Sequence, residues 1–384
     1  MRAAAFKSII LGAIAPGFFC MMPSLQAGAQ ERLPEIRTAA PASGDPFGIR
    51  WLEFDYDFGL MKEEAGPKTG VSRFVNEGEV PVMIVSVRPS CGCTSAVYTE
   101  DPVAPGDTAT ISYTYDPTRR PGKFEKSVKV RLDNGARYSI GISGNVLGTP
   151  ESLTQLYPVE AGKLRLNRGR VDFGDIQSGT TRSSFVSAYN LSPDSIAPSA
   201  KSASDALAVT RDSGRIGPGD IATFGVYFDA AKHGRLGPVE IPVEIYAEEG
   251  DPQQGEATVT VTATVLPAPF HLTPERERKA PMMFVEPDPV DLGGIARGAD
   301  PEFEITVTNR GKDRLEIGAV YDKAGRVEVL SLPKPLKGGK SGRIKCRLKS
   351  GLMPGGPFRI PLTILSNDPR GGGVAQTSVC GMIE

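Results

Sequence analysis

The sequence predicts an all-β protein in which three tandem immunoglobulin-like β-sandwich domains follow a cleaved signal peptide. A motif of Asp, then Phe or Leu, then Gly occurs at Asp57–Gly59, Asp172–Gly174 and Asp291–Gly293, so successive copies are separated by roughly the length of one sandwich domain. Runs of Val, Ile, Thr, Tyr and Phe alternate with turns that use many of the 44 Gly and 33 Pro. The N-terminus carries an export pattern.

Residues 1–29 are predicted to be the signal peptide. Arg2 and Lys7 precede an apolar run from Ile9 to Met22 that is too short to span a bilayer well, and small residues precede Gln30. We therefore expect an exported chain without a transmembrane segment. The periplasm is the simplest destination, and the outer membrane or the cell surface is the alternative. Residues 30–47, which carry three prolines, are predicted to form a tether.

The first domain is predicted to span residues 48–147. In the run Thr108–Tyr115, apolar and aromatic residues alternate with Thr and Ser, which is typical of a strand with one buried face. The predicted strands are Trp51–Phe58, Val71–Asn76, Val82–Val87, Thr94–Thr99, Thr108–Tyr115, Lys123–Leu132 and Tyr138–Val146. Seven such strands suit a sandwich.

Residues 161–266 and 282–384 are predicted to repeat this plan. Pro105–Asp107 and Pro218–Asp220 each predict a tight turn before a matching strand, and Lys337–Gly342 takes that place in the third copy. The proline-bearing linkers 148–162 and 267–281 predict an elongated rod with limited bending.

The repeated motif is interpreted as structural. Its apolar residue is expected to fill the core at the end of the opening strand, and its glycine to let the chain turn. Asn76 and Asn309, each close to a Gly, are interpreted as turn residues able to adopt left-handed backbone conformations.

Charge and composition exclude several function classes. The 44 basic and 45 acidic side chains nearly balance, so neither nucleic acid nor an anionic membrane is an expected partner. The chain has only two histidines, the side chains that most often act as general acids and bases, so the sequence offers few candidates for acid–base catalysis. We expect a non-enzymatic protein without a cofactor. Trp51 is the only tryptophan and no aromatic platform is evident, so a carbohydrate-binding module is not expected. A small-molecule ligand is not expected either.

The segment Cys91–Gly92–Cys93 occurs only in the first copy, and three interpretations are open. The two cysteines could form a small-ring, exchange-prone disulfide with a redox role. They could bind a soft metal, although no further ligands are evident nearby, so no metal site is predicted. They could also be a structural staple in a tight turn. Arg88 is the nearby cation that could lower a thiol pKa.

Cys346 and Cys380 could form a second disulfide, as exported cysteines often do. The alternation argues against it. Cys346 shares a face with Ile344 and Leu348, whereas Cys380 alternates with Val379 and is expected to point away from the core.

The first copy carries a set of short motifs that resembles a known family. The motifs are Asp55–Gly59, Phe74–Gly78, Val87–Thr94, Pro105–Asp107, Asp116 and Gly122–Phe124. Together they resemble the domain-of-unknown-function family 1573, found in exported bacterial proteins and common in the Bacteroidota, over roughly residues 50–147. The later copies are similar to immunoglobulin-like and major-sperm-protein-like sandwiches. The resemblance implies a β-sandwich of unassigned activity and supplies no catalytic residues.

Two functional hypotheses follow. The first is a non-enzymatic interaction or scaffold protein of the bacterial cell envelope, which binds a protein partner through sandwich edges and inter-domain grooves. The alternative is a thiol-disulfide or soft-metal handling protein that uses Cys91 and Cys93.

Overall fold

The computed structural model describes residues 44–212, 214–248 and 257–384; the predicted signal peptide and residues 30–43 of the tether lie outside this part of the chain. Across the described residues, six β-sheets surround three separate hydrophobic cores. Each core lies between two sheets, so the prediction of an all-β chain of immunoglobulin-like sandwiches is confirmed. None of the helices in this part of the chain has the length and apolar character needed to cross a bilayer.

The first sandwich contains two four-stranded sheets. Its strands are β1 (Ile49–Glu53), β2 (Tyr56–Lys62), β3 (Lys68–Asn76), β4 (Ile84–Pro89), β5 (Thr94–Tyr98), β6 (Thr108–Tyr115), β7 (Gly122–Leu132) and β8 (Arg137–Leu147). One sheet has the order β1-β3-β6-β5 and the other β2-β8-β7-β4. The buried face of β6 is the one that the alternation predicted, and its Tyr113 and Tyr115 pack in an aromatic core with Phe58 and Phe124.

The second sandwich has a five-stranded and a four-stranded sheet, with orders β14-β15-β12-β10-β9 and β11-β17-β16-β13. Its elements are α1 (Pro150–Leu156), β9 (Val159–Ala161), β10 (Leu164–Leu166), β11 (Arg170–Gln177), β12 (Thr181–Asn190), β13 (Ser199–Ser202), β14 (Leu207–Arg211), β15 (Ile221–Asp229), α2 (Ala230–His233), β16 (Gly237–Tyr246) and β17 (Ala257–Leu266). Helix α1 and strand β9 lie within the segment predicted as a linker.

The third sandwich repeats the four-stranded pair, with orders β18-β20-β23-β22 and β19-β25-β24-β21. Its elements are α3 (Pro274–Lys279), β18 (Met283–Glu286), β19 (Val290–Ile295), β20 (Glu302–Asn309), β21 (Ile317–Tyr321), β22 (Val327–Ser331), β23 (Ser341–Leu348), β24 (Gly356–Ser366) and β25 (Val374–Ile383). Short 3₁₀ turns lie at Glu63–Ala65, Ser350–Leu352 and Arg370–Gly373.

The prediction of one opening strand, Trp51–Phe58, is wrong. The chain forms β1 there, crosses between the sheets at Phe54 and Asp55, and continues as β2. The crossing is fixed by two hydrogen bonds: Ser72 Oγ donates to the Phe54 carbonyl at 2.9 Å, and Asp55 Oδ1 accepts from the Gly141 amide at 2.7 Å. The alternation of buried and exposed residues cannot reveal such a crossing, because β1 and the start of β2 have the same two-residue periodicity.

The repeated Asp motif does not end a strand, as predicted, but forms a bulge inside it. In each copy the Asp Oδ1 accepts a hydrogen bond of 2.9 Å from the amide of the motif glycine, which has a φ between 61° and 65°. The register of the parallel pairing with the last strand of the domain shifts at that point. Phe58 is buried, and Phe173 and Leu292 pack partly buried against their cores.

The predicted turn asparagines are buried anchors, and neither adopts a left-handed conformation. Asn76 is fully buried, and its side-chain amide donates to the carbonyls of Val80 and Val103 and accepts from the Gly78 amide. Asn190 and Asn309 make equivalent bonds at the ends of β12 and β20. Each side chain therefore ties the end of one strand to the turn before the next.

The predicted tether is bonded to the first sandwich at its described end, residues 44–47. Asp45 accepts hydrogen bonds from the Phe47 amide and from the Tyr138 hydroxyl, and Phe47 packs partly buried against the core. Ordered contacts therefore begin before Gly48, where the sequence placed the start of the domain.

The first linker is a packed joint. Glu63, which is only 7% exposed, accepts hydrogen bonds from the Ser152 hydroxyl and from the amides of Thr149 and Arg119. Burial, the largest single influence, acts to raise the pKa of Glu63, but these hydrogen bonds together outweigh it and lower the pKa. A carboxylate of the first domain therefore holds the start of α1, which Thr149 also caps.

Candidate functional site

The Cys91–Gly92–Cys93 segment joins two edge strands that belong to different sheets. Strand β4 is the last strand of its sheet, β5 is the last strand of the facing sheet, and the two lie beside each other. The structure links Cys91 and Cys93 by a disulfide at the crossing point. The disulfide thus closes the corner where the chain passes from one sheet to the other.

The disulfide lies at the rim of the core. Cys93 is 6% exposed and belongs to the buried cluster, while Cys91 packs partly buried against it. The Thr94 hydroxyl is 3.7 and 3.8 Å from the two sulfurs. Arg88, the cation considered for lowering a thiol pKa, is exposed on β4 and lies opposite Lys129 in the ladder. Within the described residues, no group of three or more His, Cys, Asp or Glu side chains could hold a metal ion.

The same corner is stabilised by different chemistry in the other two domains. Between β13 and β14 of the second domain, the hydroxyls of Ser202 and Ser204 accept hydrogen bonds from the amides of Ser204 and Ala206. Between β21 and β22 of the third domain, the buried carboxylate of Asp322 accepts from the amides of Ala324 and Val327. Each domain therefore has a local contact at this corner, and in the first domain that contact is the disulfide.

Cys346 and Cys380 are free thiols in the structure. Cys346 lies on β23, is fully buried, and belongs to one sheet of the third sandwich; Cys380 lies on β25 in the other sheet and is partly exposed. Burial raises the pKa of the Cys346 thiol to about 11, so this thiol stays protonated at neutral pH.

Four cations line a groove on the outer face of the β2-β8-β7-β4 sheet, which we call the basic groove. Its volume is about 340 Å³, and its charged side chains come from three adjacent strands. These are Arg88 on β4, Lys129 and Arg131 on β7, and Arg137 on β8. Val85 and Ser86 of β4 complete the wall on the side of the sheet edge. Nothing in the described residues forms an ion pair with any of the four cations.

The pairing register places like charges side by side in the basic groove. Arg88 lies directly opposite Lys129, and Arg131 lies directly opposite Arg137. Directly opposite side chains in an antiparallel ladder have Cβ atoms about 5 Å apart, so like charges there destabilise the sheet. The Nε atom of Arg137 is buried without a hydrogen-bond partner among the described residues.

Elsewhere the ladders pair opposite charges. In the third domain, Glu302 lies opposite Arg347 with an ion pair of 2.6 Å, and Glu304 lies opposite Lys345 with one of 3.7 Å. In the second domain, Lys201 lies opposite Glu244. The basic groove therefore departs from the charge pattern of the other two domains.

The edge next to the basic groove exposes apolar side chains. Val85 of β4 is 40% exposed and Val97 of β5 is 71% exposed. Val80 and Met83, in the segment that leads into β4, are also exposed. Edge strands offer unpaired backbone groups to a further strand, and exposed apolar side chains beside such an edge are typical of an interaction surface.

A second groove, of about 700 Å³, lies between the second and third domains. It is lined by β11 and β16 on one side and by the turn after β21 on the other, and it includes Asp172 and Asp175 from the repeated motif region as well as Asp322 and Lys323. Charges of both signs face it. Its chemistry therefore points to no single class of ligand.

Sequence reasoning found the cysteine pair but missed the basic groove. The alternation of Lys129 and Arg131 with buried Val128, Val130 and Leu132 does indicate an exposed basic row on one strand. The register that places Arg88 and Arg137 beside it is a tertiary property. Single-strand patterns therefore could not show that four cations meet.

Comparison with known proteins shows one family match. No curated protein matches the chain significantly. A solved protein of unknown function from Porphyromonas gingivalis W83 is 19% identical, with 56% of this chain and 99% of that chain covered and a TM-score of 0.24. The Pseudomonas aeruginosa CupB2 chaperone is 12% identical, with 55% and 98% covered and a TM-score of 0.21.

A PapD-like domain of human CEP192 is 12% identical to this chain, with 28% of this chain and 88% of that domain covered and a TM-score of 0.24. At these TM-scores the assignment of the fold rests on the sheets themselves. Residues 49–146 match the family model described as protein of unknown function (DUF1573), which confirms for the first sandwich the family resemblance that its motifs predicted.

Proposed function

We propose that this chain is an exported, non-enzymatic interaction protein of the bacterial cell envelope that binds a protein partner through the edges of its sandwiches. The observation that carries the proposal is the edge of the first domain, where β4 and β5 lie side by side with Val85 and Val97 exposed. A partner segment in extended conformation can add to such an edge as a further strand. The signal-peptide pattern of residues 1–29 supports export.

The disulfide contributes to this function by holding the corner between the two edge strands. Because Cys91 and Cys93 are bonded across the connection, β4 and β5 enter binding with fewer backbone conformations to lose. The thiol-disulfide or metal-handling alternative uses the same two residues. At the matching corners of the other two domains, the side chains of Ser204 and Asp322 accept hydrogen bonds from the backbone. These contacts favour a structural role for the disulfide in the first domain.

Photo-crosslinking in living cells tests the proposal. A crosslinking amino acid is placed at Val85 and, separately, at Val97, with a control at Thr258, which is exposed on the central strand β17 of the second domain. We expect the two edge positions to capture the same envelope protein and Thr258 not to capture it. Capture of no protein from either edge position, or the same set of proteins from all three positions, contradicts the proposal. Fractionation of the same cells tests export separately.

A further inference from the structure

We propose that the basic groove of the first domain binds an acidic, extended segment of a protein partner that lies along β4. The inference rests on the proposed function and names the chemistry of the partner. It starts from the register, because Arg88 with Lys129 and Arg131 with Arg137 are directly opposed cations without an acidic partner among the described residues. A ligand that brings carboxylates to both pairs relieves this repulsion.

The spacing of the cations fits an extended chain. Lys129 and Arg131 are two residues apart on β7, so their side chains leave the same face about 6.6 Å apart. Alternate side chains of an extended peptide have the same spacing. A segment with acidic residues at alternate positions therefore presents one carboxylate to each opposed pair of cations.

The position of β4 gives this segment a place to bind. Ser86 and Arg88 face the groove from the edge strand, and a strand added to β4 continues the sheet beside them. Side chains of that strand on the groove face lie next to Arg88, while the exposed Val85 offers apolar contact. An inorganic anion would use the charges and leave this apolar wall uncovered.

The rest of the molecule disfavours a nucleic acid or a membrane as the occupant. The corresponding face of the second domain, on β16, presents the acidic residues Glu240 and Glu244. The 44 basic and 45 acidic residues of the whole chain nearly balance. The positive field is therefore local, which suits a short acidic segment better than an extended polyanionic surface.

A binding measurement with the full chain tests the inference. The probe is a fluorescent peptide that alternates Glu and Val, and the reference is the same peptide with Gln in place of Glu. Fluorescence anisotropy at low and near-physiological salt is expected to show binding of the Glu peptide that weakens with salt, and at least about tenfold weaker binding of the Gln peptide. Equal binding of both peptides overturns the proposal.

Matched charge reversals locate the site. Lys129 lies in the basic groove, and Lys129→Glu reverses its charge. Lys123 lies on the same face of the same strand about 20 Å away, so Lys123→Glu is the matched control. We expect Lys129→Glu to weaken peptide binding about tenfold or more and Lys123→Glu to leave it within about twofold. Because Lys129→Glu places a carboxylate opposite Arg88, the melting temperature of this variant is expected to stay the same or to rise. Equal loss of binding in both variants overturns the assignment.

Other occupants give distinguishable results. If vesicles of anionic phospholipid or inorganic phosphate bind with the same dependence on Lys129 while the Glu peptide does not bind, the protein-segment proposal fails. If the chain self-associates through this face, Lys129→Glu abolishes a dimer seen by light scattering, and the proposal of a separate partner fails. If the Glu peptide binds but no crosslink forms at the edge in cells, the basic groove stands as an acidic-peptide site and the proposed cellular role is refuted. If the edge crosslinks to a partner but the Glu peptide does not bind, only the assignment of the basic groove is refuted.

Discussion

At the residue scale, one structural position is served by three kinds of side chain. The corner between the two edge strands is closed by Cys91 and Cys93 in the first domain, by Ser204 in the second and by Asp322 in the third. The sequence marks only the first of these, because a close pair of cysteines is rare whereas Ser and Asp are common in turns. The uniqueness of the cysteine motif therefore lies in its chemistry and not in its place in the fold.

Replacement of both Cys91 and Cys93 by Ser is expected to lower the free energy of unfolding of the first domain by about 1–2 kcal/mol, the entropy lost when a disulfide closes so small a loop. Trp51, the only tryptophan, is buried in the first core, so its fluorescence in urea reports this domain alone. The wild-type chain with reductant should match the variant. A variant as stable as the oxidised wild type would contradict the structural role and would reopen the redox alternative.

The buried asparagine anchor gives a sharper residue-scale prediction. Asn76→Asp replaces the amide that donates to the Val80 and Val103 carbonyls with an acceptor, so the Val80 carbonyl loses this donor and the Val103 carbonyl keeps only the Val82 amide. We expect the free energy of unfolding to fall by roughly 2 kcal/mol or more, because an unsatisfied buried group costs about 1–3 kcal/mol and the new carboxylate is itself buried. Urea unfolding monitored at Trp51 measures it. Asn134→Asp, at an exposed turn, serves as the control and should change stability by less than about 0.5 kcal/mol.

At the scale of elements, the joint between the first two domains depends on a short helix and one carboxylate. Leu153 of α1 and Tyr157, which follows the helix, pack with Tyr189 of β12. The Tyr189 hydroxyl accepts a hydrogen bond of 3.1 Å from the Gly148 amide. Glu63 accepts three further hydrogen bonds. Two come from the start of the helix, from the Thr149 amide and the Ser152 hydroxyl, and the third comes from the Arg119 amide. Isolated helices of this length are not stable in water, so these contacts hold α1 in place.

Glu63→Ala is expected to expose this joint to solvent, because the Ser152 hydroxyl and the Thr149 amide lose their acceptor. Hydrogen exchange of the amides in residues 148–162, followed by mass spectrometry, should accelerate at least about tenfold relative to the wild type. Glu64→Ala, at the exposed neighbouring position, is the matched control and should leave the exchange unchanged. Equal protection in both variants would show that Glu63 does not hold the joint.

The same joint should depend on pH. The pKa of Glu63 is lower in the folded protein than the ordinary glutamate value of about 4.3, so the ionised carboxylate stabilises the joint fully above that value. This contribution is lost as the pH falls through the lowered, folded-state pKa. Protection of residues 148–162 in the wild type should therefore approach that of Glu63→Ala only in acid, and a difference between the two that persists at the most acidic pH would contradict this account.

At the scale of the whole molecule, the repeated domains present different surfaces. The outer face of the first domain is basic around Lys129, whereas the matching face of the second carries Glu240 and Glu244. Contacts also tie neighbouring domains together: the Asn145 amide donates to Asp220 across the first joint at 2.9 Å, and β16 packs against β21 across the second. The array therefore offers several distinct faces on one scaffold.

Small-angle scattering tests the predicted rod. A compact domain of this chain length would have a radius of gyration of about 21 Å. We expect a clearly larger value for the wild type, because three sandwiches in a row cannot share one core. Glu63→Ala should broaden the distribution of distances by loosening the first joint, while Glu64→Ala should not. A radius near that of a single compact domain would contradict an elongated array.

Much of the fold follows from local patterns. The alternation at Thr108–Tyr115 predicts β6 where the structure has it, because the alternation is strict and turn residues flank it. The same pattern does not show that Trp51–Phe58 is split between two sheets, because an extended chain keeps its periodicity when it changes partners. The burial of Asn76 was missed for a related reason, since the carbonyls it binds come from separate turns.

By itself, the sequence determined the all-β class, the repetition of sandwiches, the match of residues 49–146 to a family model, and Cys91 and Cys93 as a cysteine pair that occurs only in the first copy. These features depend on periodicity, spacing and rare residues, all of which are local along the chain. Only the tertiary structure decided that these cysteines close a corner shared by all three domains, and that Arg88, Lys129, Arg131 and Arg137 form one basic groove. Both depend on which strands pair and in what register, and register is set by contacts between residues far apart in the chain.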